Sequence, residues 1–313
     1  MQFGIQTGQQ HRPFSEILGL WQLAERTGYS HGWLYDHLVP VGGDLDGEVY
    51  ESWSALAMLL AKTDRIRGGI LVSCVMFRHP AILAKTASTI DIASGGRLEF
   101  GIGACWNAWE ADLYGVQFPK LSERVERLDE AISVVRTMWD PTRDNFEGRF
   151  YKVSSAHVQP QPAQRPHPPI WVGGWGRTKM PEIIARQADG WNAIFLSLKE
   201  YEERLAAMRH ACEDIGRDPA SLTLSFGQRV SVDADAKRAE ARAIEQYERN
   251  GVPFDEQLRS RFIFGTPMQV AEQIMALKDI GVQQFILWHE LPFDAEAEDQ
   301  IRQFSESVMP LVR

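Results

Sequence analysis

Residues 170–194, IWVGGWGRTKMPEIIARQADGWNAI, contain a complete unit of strand, helix and strand. The apolar run Ile170–Val172 predicts a strand, Thr178–Gln187 predicts a helix, and Gly190–Ile194 predicts a second strand. Two strands joined through a helix are normally parallel, because the crossover carries the chain back to the edge where the first strand began. The stretch therefore predicts a parallel sheet that is covered by helices.

The same alternation extends from this unit to both ends of the chain. We predict eight strands, at Phe3–Thr7, Trp33–Tyr35, Gly69–Val75, Leu98–Ile102, Ile170–Val172, Gly190–Ile194, Leu222–Val230 and Gln284–Trp288. We predict the helices at Phe14–Thr27, Ser52–Thr63, His79–Ile92, Ser122–Trp139, Thr178–Gln187, Lys199–Ile215, Asp235–Asn250 and Pro267–Ile280, with Glu298–Met309 closing the chain. Eight such units predict a (β/α)8 TIM barrel, with residues 1–313 forming a single domain.

Two stretches exceed the minimal repeat and are predicted to be insertions. Residues near 140–169 contain aromatic residues around Gly148 and then a proline-rich run, a pattern that predicts a hairpin followed by an extended segment. Residues near 250–265 contain a short polar helix, Asp255–Arg261. This helix could cover an active-site mouth, and it could equally be a solvated excursion at the surface.

The composition excludes two classes of partner. The chain has 33 Lys and Arg against 42 Asp and Glu, a formal net charge of −9, and it has no run of basic residues. It therefore lacks the positive surface that nucleic acids and anionic membranes require. Its longest apolar runs, such as Ile70 to Val75, are too short to span a bilayer.

Cysteine usage indicates neither a disulfide framework nor a metal site. Cys74, Cys105 and Cys212 are widely spaced and form no C-x-x-C pair. We therefore predict unpaired thiols, no metal ion, and a reducing cytoplasm as the location of the protein.

Residues that follow the strands are the candidates for chemistry, because the carboxyl ends of barrel strands form the active face. Asp36 and His37 follow the second strand directly. Histidine exchanges protons near neutral pH, so His37 is a candidate general acid or base and Asp36 a candidate for orienting it. The alternative is a structural pair that anchors the loop.

The turn from Gly173 to Arg177 is a candidate anion site. Glycines let the backbone approach an oxyanion, the following helix offers unpaired N–H groups, and Arg177 adds a positive charge. The same glycines are also compatible with a tight turn that binds nothing. Several tryptophans are predicted at the same end of the barrel: Trp106, Trp175 and Trp288, with Trp33 and Trp191 nearby. They could form a wall for a flat ligand, or they could fill the core.

A set of motifs resembles the bacterial luciferase-like superfamily of flavin and deazaflavin enzymes. The motifs are SGGRLEFGIGACW at 94–106 with Glu110, Gly115 and Arg124, FRHP at 77–80, FEGRFY at 146–151, HPPIWVGG at 167–174 and ADGWN at 188–192. The segment WLYDHL at 33–38 is most similar to the group of coenzyme F420-dependent oxidoreductases.

The resemblance implies a dimeric barrel that binds the deazaflavin at its carboxyl-terminal face, with Asp36 and His37 beside the ring. It further implies three groups of cofactor-binding residues. A bulge in the third strand, in many relatives with a non-proline cis peptide, would support the ring through Ile70, Leu71, Val72 and Ser73. Gly103, Trp106 and Asn107 would flank the ring or the ribityl chain. Gly173, Gly174, Trp175, Gly176 and Arg177 would bind the phosphate.

Two positions depart from the family pattern. Relatives often have glycine at the position of Cys105, where this sequence predicts a small buried thiol. Some F420-dependent sugar dehydrogenases have a glutamate where Trp106 aligns, so its absence favours a bulky, apolar substrate.

Three functions remain compatible with the sequence. The first is hydride transfer between F420 and a small organic substrate. The second is an FMN-dependent monooxygenase that uses dioxygen, and the third is a flavin-binding barrel without catalysis.

Overall fold

A computed structural model describes residues 1–289, 294 and 296–312. Its main sheet consists of parallel strands in the order β3-β2-β1-β13-β10-β9-β8-β5-β4, and β3 also pairs with β5, which closes the ring. The strands are β1 (Gln2–Gln6), β2 (His31–Leu34), β3 (Arg67–Ile70), β4 (Ser73–Cys74), β5 (Leu98–Gly103), β8 (Ile170–Gly173), β9 (Gly190–Ile194), β10 (Thr223–Gln228) and β13 (Gln284–Trp288). The third barrel strand is divided into β3 and β4, so the (β/α)8 barrel predicted from the sequence is confirmed.

Helices surround the barrel where the periodicity predicts them. They are α1 (Phe14–Thr27), α2 (Ser52–Ala61), α3 (Pro80–Ala93), α4 (Ala108–Leu113), α5 (Leu121–Trp139), α6 (Lys179–Gln187), α7 (Leu198–Asp214), α8 (Ala236–Glu248), α9 (Glu256–Ser260), α10 (Pro267–Asp279), α11 (Ala297–Ser307) and α12 (Met309–Val312). Apolar stripes such as Ile17, Leu20 and Trp21 of α1 are buried against the outside of the sheet. Helix α1 ends at Gly28, whose φ of 93° is the left-handed conformation that favours glycine.

The inside of the barrel is filled by a separate aromatic cluster. Trp33, Tyr35, Trp171 and Trp288 are its large members. Glycines on neighbouring strands make room for the indoles, since a Cβ on Gly227 would lie 2.5 Å from Nε1 of Trp288. The barrel is therefore a packed core, and ligands can enter only above this layer.

A polar cluster occupies the opposite, amino-terminal end of the barrel. The buried carboxylate of Glu99 accepts a hydrogen bond from Nε1 of Trp171 at 2.6 Å, pairs with Arg67, and lies 3.7 Å from Nε2 of His31. Burial alone would raise the pKa of Glu99, but these partners outweigh it and lower the pKa. The polar groups of this cluster pair with one another. The cluster lies at the amino-terminal end of the strands, whereas active sites of such barrels lie at the carboxyl-terminal end.

The residues of the two predicted insertions form short elements of secondary structure. The first contains the antiparallel hairpin of β6 (Phe146–Glu147) and β7 (Lys152–Val153). The second contains α9 and a strand that the sequence analysis missed, β12 (Ile263–Gly265), which pairs with β11 (Val230–Val232). Helix α4, which follows β5, was also missed.

The prediction of three unpaired cysteines is wrong. Cys74 and Cys105 form a disulfide with a Cα–Cα distance of 5.0 Å across a sequence separation of 31 residues, and only Cys212 is free among the described residues. The pairing follows from closure of the barrel, because Cys74 lies opposite Gly103 in the register of β4 and β5. Spacing along the chain carries no signal of this contact.

In the part of the chain that the structure describes, no helix is long and apolar enough to cross a membrane.

The disulfide predicts a defined thiol count. Protein that is denatured and alkylated without a reductant should take up label only at Cys212, whereas reduced protein should take up label at all three cysteines. Replacing Cys74 and Cys105 together with serine should lower the free energy of unfolding by about 2–4 kcal/mol, because the closed loop constrains the unfolded chain. Mass spectrometry and chemical denaturation measure these two effects. Three labelled sites without reductant would contradict the pairing, and Cys212→Ser is the matched control.

Candidate active site

The predicted site residues meet at one end of the barrel. All neighbouring barrel strands run parallel, so the residues that follow β2, β5 and β8 emerge at the same face. His37 lies in the loop after β2, Trp106 in the loop after β5, and the glycine turn directly at the end of β8. His37 and the 173–177 turn therefore lie at the same end of the barrel, which is its mouth.

Val72 forms the floor of this mouth. The chain between β3 and β4 contains a non-proline cis peptide between Leu71 and Val72, at the place where the family resemblance implies a bulge. Both side chains join the aromatic cluster inside the barrel. A Cβ on Gly103 would lie 2.4 Å from a methyl group of Val72, and a Cβ on Gly173 would lie 2.5 Å from the other methyl group. Both glycines are therefore required by the packing of Val72.

The other two residues of the predicted bulge have different surroundings. Ile70 is fully buried in the main core between the sheet and the helices, which places it away from the mouth. Ser73 is buried, and its hydroxyl has no hydrogen-bond partner in the described part of the chain.

Asp36 is engaged by the protein itself. One carboxylate oxygen accepts from the hydroxyl of Ser52 at 2.7 Å, and the other accepts from the backbone N–H of Cys74 at 2.9 Å and from Arg78 at 2.6 Å. Burial would lower the pKa of Arg78, but the carboxylates of Asp36 and Glu51 outweigh it and raise the pKa. Asp36 thus ties the loop after β2 to β4 and the start of α2.

His37 points to the mouth and has one polar partner. Its Nδ1 lies 2.8 Å from Oε1 of Glu110, and its ring makes edge contacts with the rings of Tyr35 and Trp106, both at 5.4 Å between centroids. No other donor or acceptor among the described residues contacts His37. Its Nε2 is therefore the atom that is available to a ligand.

Glu110 lies within a motif that carries the family resemblance, but it was not predicted to be a site residue. Glu110 is buried, and its second oxygen accepts from the backbone N–H of Leu38 at 3.0 Å. The available signal was the pair Asn107 and Glu110, three residues apart, which is typical of a helix start. Helix α4 was not predicted because it has only 6 residues, too few to show a helical period.

The loop after β5 places its predicted residues differently. The indole of Trp106 is 65 % exposed and stands beside His37 as one wall of the mouth. The side chain of Asn107 caps α4 by accepting from the N–H of Glu110 at 3.4 Å. Asn107 therefore supports the loop, and Cys105 is bonded to Cys74.

The turn after β8 has the features of an anion site. Gly174 has a φ of 131°, which favours glycine, and α6 begins five residues later at Lys179. The carbonyl of Gly174 accepts a hydrogen bond from Nε1 of Trp191 at 2.8 Å. Trp191 therefore belongs to the supporting core rather than to the wall of the mouth. Trp175, Gly176 and Arg177 are exposed, and their N–H groups make no hydrogen bond within the described chain.

No group of three or more His, Cys, Asp or Glu residues in the described chain could hold a metal ion. A cavity of about 650 Å³ lies outside the barrel, between β10, α8 and α10, and none of the predicted site residues lines it. The barrel mouth is thus where the candidate residues gather.

Several known proteins are similar to this chain over all or nearly all of its length. The chain is 28% identical to an F420-dependent glucose-6-phosphate dehydrogenase of Microbacterium testaceum, covering 100% of this chain and 98% of the relative. It is also 28% identical to an FMNH(2)-dependent dimethylsulfone monooxygenase of Pseudomonas putida, covering 93% of this chain and 86% of the relative. The fold matches that of an F420-dependent secondary alcohol dehydrogenase with a TM-score of 0.88 at 19% identity, covering 100% and 99% of the two chains.

The family model for luciferase-like monooxygenases matches residues 1–288. The chain therefore belongs to the luciferase-like monooxygenase family.

Proposed function

We propose that this protein is an F420-dependent oxidoreductase that transfers a hydride between C5 of the deazaflavin and a small organic substrate. The observation that carries the proposal is the position of His37 and of the glycine turn on either side of Val72, at one mouth. F420-dependent dehydrogenases among the relatives, which match over the whole chain, support the choice of cofactor.

The mouth fits a flat ring that carries a phosphate chain. Val72 offers an apolar surface beside Gly103 and Gly173, and the turn after β8 offers the N–H groups of residues 175–177 and the charge of Arg177. Buried polar atoms of Gln6, Ser73 and Trp288 have no partner within the described residues, as expected where a ligand or water completes the hydrogen bonds. When bound, F420 supplies the hydride chemistry.

The residues of this chain then have distinct roles. Leu71 and Val72 support one face of the ring, and Gly173, Gly174, Trp175, Gly176 and Arg177 bind the phosphate. His37 holds or moves a proton at Nε2. Asp36 positions the loop, because both of its oxygens are already used by the protein. Gly103 and Asn107 act through the packing of Val72 and the start of α4.

The substrate that we propose is small and apolar. Aromatic groups surround the entrance: Trp106 stands exposed beside His37, and the ring of Phe195 lies 4.8 Å from that of Trp288. Such a surface favours an apolar molecule over a sugar, whose hydroxyl groups would lose hydrogen bonds to water.

The FMN-dependent monooxygenase is a second candidate, favoured by the full-length similarity to the dimethylsulfone enzyme. The two cofactors share a three-ring system and a ribityl phosphate, so the same mouth fits both. Substrate-dependent oxygen consumption with reduced FMN, together with no binding of F420, would decide for this alternative.

We also propose that two copies associate through the outer face of α2 and α3. Met58 of α2 and Ile82 of α3 are 49% and 63% exposed, and they are large apolar side chains on two helices that contact each other.

The cytoplasmic location remains a prediction, and its argument from unpaired cysteines fails with the Cys74–Cys105 disulfide.

Cofactor binding tests the proposal directly. The purified protein should quench the fluorescence of F420 at micromolar concentration, in parallel trials with FMN and FAD. Arg177→Ala should weaken F420 binding about 5-fold at low salt, because one exposed ion pair contributes up to about 1 kcal/mol. Arg26→Ala is the control, since this exposed arginine lies in the last turn of α1, toward the other end of the barrel. Absence of F420 binding would refute the assignment.

The role of His37 is tested by transient kinetics. His37→Ala should slow hydride transfer about 10²- to 10⁴-fold while leaving F420 affinity unchanged, since a positioned acid or base acts on the reaction rather than on ring binding. His210→Ala on the exposed face of α7 should have no effect. An unchanged rate in the His37 variant would remove this residue from the mechanism.

A further inference from the structure

The hydrogen bonds around Glu110 determine which nitrogen of His37 carries the proton. One carboxylate oxygen of Glu110 faces Nδ1 of His37 at 2.8 Å, and the other accepts from the backbone N–H of Leu38 at 3.0 Å. An ionised carboxylate can only accept hydrogen bonds. The Nδ1 atom must therefore donate, and in the neutral ring the lone pair is then on Nε2.

We propose that Glu110 is a positioning residue that holds neutral His37 with its proton on Nδ1, so that Nε2 faces the mouth as a proton acceptor. The proposal rests on the proposed role of His37 in proton transfer. When Nε2 takes up a proton, the imidazolium lies beside the Glu110 carboxylate. Glu110 thus serves both proton states, without contacting substrate or cofactor itself.

The surroundings hold Glu110 at this place. Asn107 caps the start of α4, and Tyr114 at its end donates from its hydroxyl to the carbonyl of Leu38 at 3.1 Å. Glu110 and His37 are 2% and 14% exposed in their side chains, so little water competes for the bond. Helix α4 and the loop after β2 are thereby joined at both ends of the helix.

The backbone N–H of Leu38 makes the isosteric amide a sharp probe. A glutamine at position 110 has one acceptor oxygen and one donor NH₂ group. The N–H of Leu38 needs the oxygen, because a buried donor without a partner costs about 1–3 kcal/mol. The NH₂ group then faces Nδ1, which must become the acceptor. Glu110→Gln is therefore expected to move the proton of neutral His37 to Nε2.

The tautomer can be measured on the protein without cofactor. Protein with ¹⁵N-labelled histidine is studied by NMR about two pH units above the ordinary histidine pKa of ~6.5, and His37→Phe identifies the resonances of His37. The wild-type protein should show a protonated Nδ1 and an unprotonated Nε2, and Glu110→Gln should show the reverse. Asp112→Asn, which removes the same charge from the exposed side of α4, should leave the wild-type pattern.

Two outcomes would overturn the proposal. One is a wild-type His37 with its proton on Nε2, and the other is a Glu110→Gln variant that keeps the proton on Nδ1. If the variant does not fold, the wild-type tautomer alone decides. Because no cofactor is used, failure of F420 binding would refute the proposed function without affecting this measurement.

Kinetics then connects the tautomer to the reaction. In the direction that requires Nε2 to accept a proton, Glu110→Gln should lower kcat about 10²-fold with little change in KM or in cofactor affinity. A loss confined to cofactor affinity would show that Glu110 shapes the mouth rather than the proton position. Equal losses in the Asp112→Asn variant would assign the effect to charge alone.

Discussion

The packing of Val72 against Gly103 of β5 and Gly173 of β8 is the constraint on which the mouth depends. Valine has two methyl groups on Cβ, and each occupies the space that a Cβ at position 103 or 173 would need. Any larger residue at either glycine would force Val72 upward into the ligand space or push the strands apart. The interruption between β3 and β4 is thus coupled to the composition of two other strands, and an apolar floor results at the place where the strand ends converge.

The barrel could be predicted from sequence because its signal is repeated and local. Each unit carries an apolar run and a helix-period stripe, and helix α1 was predicted with the bounds that the structure shows. Elements with few residues were missed, since α4 and β12 are too short to display a period. The bond between Cys74 and Cys105 was missed for another reason, because it depends on the register of two strands in the closed sheet.

The site was predictable in position more than in role. Strand ends identified the mouth, and His37 lies there. Alternation along the chain after β2 sends neighbouring side chains in opposite directions, so Asp36 points to α2 while His37 points to the mouth. The two residues were predicted to act together because they are adjacent in the chain. Glu110 could not be predicted, because its relevance depends on a contact with His37 across 73 positions of the chain.

Two connections join the loop after β2 to the loop after β5, and they run on either side of His37. On one side, Asp36 holds the backbone of Cys74, which is bonded to Cys105 next to Trp106. On the other side, Glu110 holds both His37 and Leu38.

The contact between the rings of His37 and Trp106 joins the same two loops a third time. A histidine fixed by both neighbours in the chain loses little further freedom when a ligand binds, so the arrangement is organised before binding. The disulfide and the buried aspartate therefore fix the position of this imidazole, and the buried glutamate fixes both its position and the nitrogen that carries its proton.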